Sequence, residues 1–206
     1  MRGSRYHLAV ASLIVASAAC GNTTQPTDPG APRPEPLLNI LQLAQNAPPL
    51  FNSEVSFWAL KGQDREGRIF FQDAAGGQGE KYLRLKVPAQ SLMSRPDGSL
   101  IAAGDSILIT VRVVDVQQVL FELEPSGLKF DPTDPAELDI EYDEVGDDID
   151  GDGDVDPQDS QIETQLAIWR QELPNGLFEQ LSTLKFEGLR ELEAKLTGFS
   201  RYAIAY

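Results

Sequence analysis

The feature that most constrains the fold of this 206-residue chain is an alternation of apolar and polar residues at every second position. A period of two is typical of a strand with one buried face, whereas a helix repeats its apolar residues every three or four positions. Clusters rich in Gly, Pro, Asn and Asp separate the alternating runs and indicate turns. Six runs show the pattern: residues 55–59, 83–87, 107–113, 121–123, 138–142 and 192–196.

Short strands joined by tight turns predict a mainly β fold, and in particular an antiparallel β-sandwich. No segment predicts a long helix. We expect a signal peptide over residues 1–19, then a lipidated cysteine and a disordered linker over residues 20–50. The sandwich is expected over residues 51–206, with an acidic insertion at residues 143–160.

Charge and residue usage exclude several classes of function. The chain carries 17 Lys and Arg against 32 Asp and Glu, a formal charge of −15, which disfavours binding to nucleic-acid phosphates. It has one His and one Cys, too few for a zinc site or for a Ser-His-Asp or Cys-His catalytic group. That histidine, His7, lies in the segment that we expect to be removed.

The N-terminus indicates export and a tether. Basic residues precede an uncharged apolar run over residues 8–19, which is too short to span a bilayer and is typical of a signal peptide. Residues 17–20, Ser-Ala-Ala-Cys, resemble a bacterial lipobox, with Ser17 where Leu is usual. The resemblance implies acylation of Cys20 and attachment to membrane lipid at the cell envelope, in the outer membrane where one exists. The alternative is ordinary cleavage that leaves Cys20 an incidental thiol.

A proline-rich segment follows the cysteine. Residues 21–36 contain five prolines and no periodic apolar pattern, which predicts an extended linker. The short apolar patch at residues 37–43 is either a helical turn or the first contact with the folded domain, and it ends before Pro48.

Four segments of the second half carry a family resemblance: residues 121–132 (FELEPSGLKFDP), 136–142 (AELDIEY), 166–170 (LAIWR) and 194–203 (AKLTGFSRYA). They are similar to the ZU-five type of β-sandwich, a module of ankyrins, netrin receptors and bacterial surface lipoproteins. Some of those relatives cleave themselves between Phe and Ser of a His-Phe-Ser motif. Gly198 replaces that histidine here, so we expect Phe199 and Tyr202 to be core or edge aromatics, Ser200 to be structural and the chain to stay intact.

An acidic segment near the centre of the resemblance predicts a metal site. Residues 143–159 contain nine acidic residues and no Lys or Arg. From Asp148 onward the spacing is D-x-D-x-D-G-x-V-D-x-x-D, the twelve-residue calcium loop of the EF-hand and dockerin type. The alternative is a solvated acidic loop or a disordered tract. The expected metal residues are Asp148, Asp150, Asp152, Asp154, Asp156 and Asp159.

Each position of the loop has a chemical reason. Carboxylates at loop positions 1, 3 and 5 aim at one centre, while Gly153 permits the sharp turn and Asp154 offers its backbone carbonyl. Val155 is expected to pin the loop to the core. Asp156 binds directly or through water, and Asp159 supplies the closing carboxylate. Hard oxygen ligands in this number favour Ca²⁺ over Mg²⁺, in a structural role.

Two classes of function remain at this point. The first is a non-catalytic surface module that binds a protein or a glycan or serves as a scaffold, and it is the class that we expect. The second is a glycan hydrolase that uses paired carboxylates, although the calcium ion already explains the clustered acids. Trp58 and Trp169 could stack on sugars, but an aromatic residue within a strand is more often part of the core.

Overall fold

The computed structural model describes residues 30–206. Its larger sheet has seven strands, and every neighbouring pair is antiparallel. In spatial order the strands are β1 (Arg33–Pro34), β11 (Leu177–Gln180), β10 (Ala167–Gln171), β14 (Arg201–Ala205), β7 (Leu120–Glu124), β6 (Ser106–Val113) and β2 (Glu54–Leu60).

The second sheet has five strands and is also antiparallel throughout. Its spatial order is β12 (Thr183–Phe186), β13 (Glu191–Leu196), β9 (Ala136–Glu141), β4 (Gln78–Val87) and β3 (Arg65–Gln72). A small two-stranded sheet pairs β5 (Leu92–Ser94) with β8 (Lys129–Phe130). The helices are α1 (Pro157–Gln165) and three 3₁₀ turns at Glu35–Leu37, Asp143–Val145 and Glu187–Leu189.

The two sheets face each other across one apolar core. Alternate residues of β9, such as Leu138 and Ile140, are fully buried and point toward the larger sheet, because successive side chains of a strand point to opposite faces. Tyr82 of β4 meets Phe121 of β7 with 5.1 Å between ring centroids, which joins the sheets directly. The mainly β, antiparallel fold predicted from the sequence is confirmed. All six alternating runs coincide with strands, although Tyr142, the last residue of one run, lies just beyond β9.

The N-terminal segment is more ordered than we expected. Leu38 and Leu41 are buried, and Ile40 forms an isolated β-bridge with Ala205. The described part of the predicted linker, residues 30–50, therefore lies against the sandwich and belongs to the folded unit. Its apolar patch at residues 37–43 contacts the domain, but it is not the first contact, because β1 (Arg33–Pro34) already pairs with β11.

That segment covers an apolar surface on the outer side of the larger sheet. Trp169 and Phe178 lie in a cluster separate from the central core, together with Leu38. The guanidinium of Arg33 stands 5.2 Å from the centroid of the Trp169 ring. Burial of this second cluster explains why the N-terminal segment folds onto the domain although it follows the proline-rich residues 21–36.

The acidic insertion connects the two sheets. It leaves β9 in the five-stranded sheet and returns into β10 in the seven-stranded sheet. Within it lies α1, a nine-residue helix that the apolar pattern did not predict. Only Ile162 and Asp159 of α1 are buried, so the helix has almost no apolar face to signal its presence.

Candidate metal centre

Three carboxylates of the acidic insertion converge. Asp148, Asp150 and Asp152 each place an oxygen within 4.8 Å of the others. Asp148 and Asp150 are half-buried, and Asp152 is exposed. Three oxygens at this separation could hold a metal ion between them.

The backbone of the loop curls because Asp148 accepts two of its N–H groups. One carboxylate oxygen of Asp148 accepts from the N–H of Gly151 at 2.9 Å, and the other accepts from Gly153 at 3.0 Å. Both glycines have left-handed backbone angles, with φ of 73° and 99°, which a side chain would disfavour. The glycine spacing in the sequence therefore marks the two points where the chain must turn.

The next two aspartates repeat the same local bond. Asp150 accepts from the N–H of Asp152 at 3.2 Å, and Asp152 accepts from Asp154 at 2.9 Å. These are Asx turns, in which a short acidic side chain replaces a backbone acceptor. The second oxygen of Asp150 accepts from the side-chain amide of Gln158 at 2.5 Å.

Asp159 lies outside the group of three and connects the loop to the helix. Its carboxylate is 3% exposed and accepts N–H groups of Ile149 at 2.7 Å and Asp156 at 2.8 Å, with a longer contact to Asp150 at 3.4 Å. The Asp156 N–H and these other backbone donors hold the pKa of Asp159 below its ordinary value. Asp156 in turn caps α1 by accepting from Gln158, so the two acids form a capping box.

The structure thus divides the six expected metal residues into two sets. Asp148, Asp150 and Asp152 come together, whereas Asp154, Asp156 and Asp159 are not within their group. The capping role of the last two acids was missed from the sequence. The signal for it was present, because an acidic residue before proline, followed three positions later by another acid, is a helix-start pattern.

Val155 does not pin the loop to the core as we expected. It is 70% exposed, and Ile149 at loop position 2 is buried in the central core instead. The aliphatic position that contacts the sandwich therefore lies near the start of the loop. The expectation assumed that position 8 would meet an apolar surface, which this fold does not place there.

One basic side chain reaches the loop from the neighbouring sheet. Arg190 donates to the carbonyl oxygen of Gly146 at 2.6 Å and to the carboxylate of Asp147 at 3.0 Å. Burial raises the pKa of Asp143 and of Glu144, although Arg190 acts against the rise at Asp143. Arg190 lies far from the loop in the sequence, and no sequence pattern indicated it.

A groove and a smaller pocket flank the acidic segment. The groove has a volume of about 800 Å³ and runs between the N-terminal segment, including Asn39 and Gln42, and the loop residues Asp148 and Asp150. The smaller cavity, which we name the acidic pocket, has a volume of about 230 Å³. It is lined by Phe71, Glu80, Lys81, Glu141, Asp143 and Glu144.

The two tryptophans lie in opposite environments. Trp169 is buried, and its indole N–H donates to the carbonyl of Ala205 at 3.1 Å, as expected for a core residue. Trp58 is 61% exposed on β2, opposite Leu108 of β6, which corrects the expectation that it is a core residue. No ring contact joins Trp58 to another aromatic residue in the described part of the chain.

The Gly198-Phe199-Ser200 segment is packed into the domain. Phe199 is buried and meets Phe130 edge to face, with 4.8 Å between centroids. The hydroxyl of Ser200 accepts from the Nε of Arg170 at 3.0 Å. A guanidinium donates a proton and does not remove one, so this arrangement gives Ser200 no base. Phe199 and Tyr202 are both core residues, which decides between the core and edge positions that the sequence left open.

The outer face of the five-stranded sheet carries carboxylates with raised pKa values, the property that an acid catalyst needs. Burial raises the pKa of Asp139 and of Glu141. Each of them is paired, Asp139 with Arg84 and Glu141 with Lys81. From the sequence, Glu122, Glu137 and Glu141 are predicted to lie on solvated strand faces, because they alternate with apolar residues. Asp139 belongs to the same alternating run as Glu141 but is fully buried.

Comparison with protein-family models, with curated proteins and with solved structures gave no match. Cys20 and the predicted signal peptide lie outside the described residues. Among residues 30–206, no helix has the length and apolar character needed to cross a membrane.

Proposed function

We propose that this chain is a membrane-tethered, extracytoplasmic calcium-binding β-sandwich module that acts as a non-catalytic binding or scaffold protein. The observation that carries the proposal is the convergence of Asp148, Asp150 and Asp152 on a loop with calcium-type spacing.

Two properties of the loop favour binding of a hard cation: its ligands are oxygen atoms, and its conformation is preorganised before any ion binds. Backbone N–H groups already hold the carboxylates of Asp148, Asp150 and Asp152 in place, so less conformational entropy is lost on binding. Each carboxylate oxygen has two lone pairs, so accepting one N–H leaves room for a cation. An all-oxygen set of several carboxylates suits Ca²⁺ better than the smaller, strictly octahedral Mg²⁺.

The position of the loop supports a structural role for the ion. The loop joins a strand of one sheet to a strand of the other, and α1 follows it directly. Neutralising the acidic segment would remove like-charge repulsion at this crossing. Extracellular calcium modules of this type bind at about 10⁻⁴ to 10⁻³ M, which suits a site that stays occupied outside the cell.

The non-catalytic part of the proposal is supported by the pairing of carboxylates elsewhere. Burial acts against ionisation of Glu137, but Lys195 at 2.7 Å and Lys86 at 3.1 Å hold its pKa below the ordinary value. Glu122 pairs with Arg112 at 3.2 Å. Asp139 and Glu141, whose pKa values burial raises, are also held in ion pairs, with Arg84 and Lys81. An acid engaged in an ion pair is a poor proton donor for glycan hydrolysis.

Lipid attachment and membership of a β-sandwich family are proposed from the sequence. Attachment through an acylated Cys20 is supported by the lipobox-like residues 17–20 and would leave the sandwich at the cell envelope. Kinship with the ZU-five type of sandwich is supported by the four short motifs and agrees with the antiparallel two-sheet fold. A partner protein or glycan would then meet the module outside the membrane.

Calorimetric titration of the metal-free chain tests the proposal. We expect one Ca²⁺ per chain and weaker binding of Mg²⁺, and we expect Asp148→Asn to abolish most of the heat. Asp97→Asn is the matched control, because Asp97 also accepts a backbone N–H in an exposed turn, from Ser99 at 2.9 Å. No calcium heat, or equal heat in the Asp148→Asn chain, would refute the metal site.

A further inference from the structure

Arg190 contacts three points along the segment that leads from β9 into the loop. Its side chain donates to the carbonyl of Gly146 and to the carboxylate of Asp147, and its Nε lies 4.0 Å from a carboxylate oxygen of Asp143. Asp147 directly precedes Asp148, the first residue of the converging group. The guanidinium therefore defines where the loop begins relative to the five-stranded sheet.

Arg190 is itself held firmly by the sheet. It has left-handed backbone angles, φ 43° and ψ 46°, which are uncommon for a residue other than glycine. Its carbonyl accepts the N–H of Tyr142 at 2.9 Å, and its guanidinium lies 5.1 Å from the centroid of the Tyr142 ring. Such an unusual conformation persists where the surroundings determine it strongly, and here it aims the side chain at the loop.

A simple charge-balancing role does not account for these contacts. Only one of the two hydrogen bonds goes to an acid, and the shorter one goes to the neutral carbonyl of Gly146. A planar guanidinium can serve two acceptors at once in fixed directions, whereas an ammonium acts as a flexible point charge. The arrangement resembles the way that groups outside a metal's ligand shell orient the ligands.

We infer that Arg190 is a positioning residue for the cation site, which holds the start of the loop so that Asp148, Asp150 and Asp152 are presented together. The inference rests on the proposed calcium-binding function. For the change in cation affinity when Arg190 is replaced, the inference and simple electrostatics predict opposite signs. Loss of a positive charge beside carboxylates should strengthen cation binding, whereas loss of a positioning contact should weaken it.

The test uses Arg190→Gln and Arg190→Lys, with Arg68→Gln as a control. Arg68 forms an exposed ion pair with Glu66 on β3, so its replacement removes one charge away from the loop. We expect calcium affinity to fall by about tenfold in both Arg190 variants and to be unchanged in the control. Arg190→Lys keeps the positive charge but lacks the planar guanidinium, so weak calcium binding by this variant would show that positioning, and not charge, is what Arg190 contributes. Unchanged or tighter calcium binding by Arg190→Gln overturns the inference.

Hydrogen exchange of the calcium-free protein provides a second measurement that does not require binding. The N–H groups of Gly151 and Gly153 should exchange faster in Arg190→Gln than in the unmodified chain, while those of the core strand β9 should not change. Equal exchange at both glycines overturns the inference whatever the calcium result.

If the unmodified chain binds no calcium but these amides lose protection in the variant, the proposed function fails and the positioning role of Arg190 in the loop stands. If Arg190→Gln does not fold, Arg190→Lys and Asp147→Ala, which removes the acceptor of the contact at 3.0 Å, replace it in both measurements.

Discussion

Asp159 accepts a hydrogen bond from the backbone N–H of Ile149 at 2.7 Å, across ten residues of acidic loop. The contact closes the loop without any metal, because the start of the loop and the first turn of α1 share one carboxylate. Ile149 is at the same time buried in the core of the sandwich. The loop is thus anchored to the domain at Ile149 and to the helix at Asp159.

Replacement of Asp159 should therefore destabilise the chain even in chelator. Asp159→Ala leaves the N–H groups of Ile149 and Asp156 without their acceptor and removes half of the capping box. We expect the melting temperature to fall in the absence of calcium. Thermal unfolding followed by circular dichroism checks this, with Ser160→Ala, an exposed residue of the same helix, as the control. Equal melting of the two variants would contradict the closing role of Asp159.

The same carboxylate should make stability depend on acid pH. Backbone donors, the N–H of Asp156 first, lower the pKa of Asp159 from its ordinary value of 3.8. A lowered pKa in the folded state means that the ionised group stabilises the fold above the unfolded pKa, and that this contribution is lost as the pH falls through the folded value. Acid titration of stability in chelator should be flatter below pH of about 4 for Asp159→Asn than for the unmodified chain. Identical acid profiles would show that Asp159 makes no ionisation-linked contribution.

The two tryptophans should give separable fluorescence signals. Trp58 is 61% exposed and Trp169 is 2% exposed. Trp58→Phe should remove the long-wavelength emission that iodide quenches, and the remaining Trp169 emission should be blue-shifted and resistant to quenching. Strong iodide quenching in Trp58→Phe would contradict the covering of Trp169 by the N-terminal segment.

Membrane attachment should depend on Cys20. If the residue is acylated, the full chain expressed in a bacterium partitions into the detergent phase, and Cys20→Ser becomes soluble or remains uncleaved. Phase partitioning with mass spectrometry of the N-terminal peptide measures both outcomes. Equal partitioning of the two chains would argue against the lipid tether.

Alternation predicted six strands, β2, β4, β6, β7, β9 and β13, and did not indicate several others. β3 was missed because Gly67 occupies an inward position where an apolar residue would complete the alternation. A Cβ at Gly67 would lie 2.6 Å from Cε1 of Phe57, so the aromatic ring of β2 fills the space of the missing side chain. Helix α1 was missed because capping by Asp156 defines its start and an apolar face does not.

The candidate site was predictable only as far as local spacing determines it. The positions of Asp148, Asp150 and Asp152 follow from turns within a few residues, so the motif was sufficient to bring them together. Arg190 lies in the connection between β12 and β13, about forty residues from the loop in the sequence. Its contact with the loop depends on the pairing of β13 with β9, which local spacing does not reveal. Exposure of Val155 likewise depends on which surface the fold places opposite it.

Occupation of the site should stabilise the fold by a modest amount. With a dissociation constant of about 10⁻⁴ M and about 1 mM free calcium, binding to the folded state alone adds about 1.4 kcal/mol. Melting in calcium against melting in chelator should therefore differ by a few degrees. Complete unfolding in chelator would contradict this, because the core strands contain none of the proposed ligands.

The central claim is that one calcium ion binds within the acidic loop, and a calcium titration followed amide by amide with NMR tests it most directly. The account predicts that the N–H signals of Gly151, Gly153 and Asp154 shift together and saturate at one equivalent, while signals of β4 and β9 in the core stay in place. Shifts confined to the acidic pocket around Lys81 and Glu141, or no saturable shift in the loop, would contradict it.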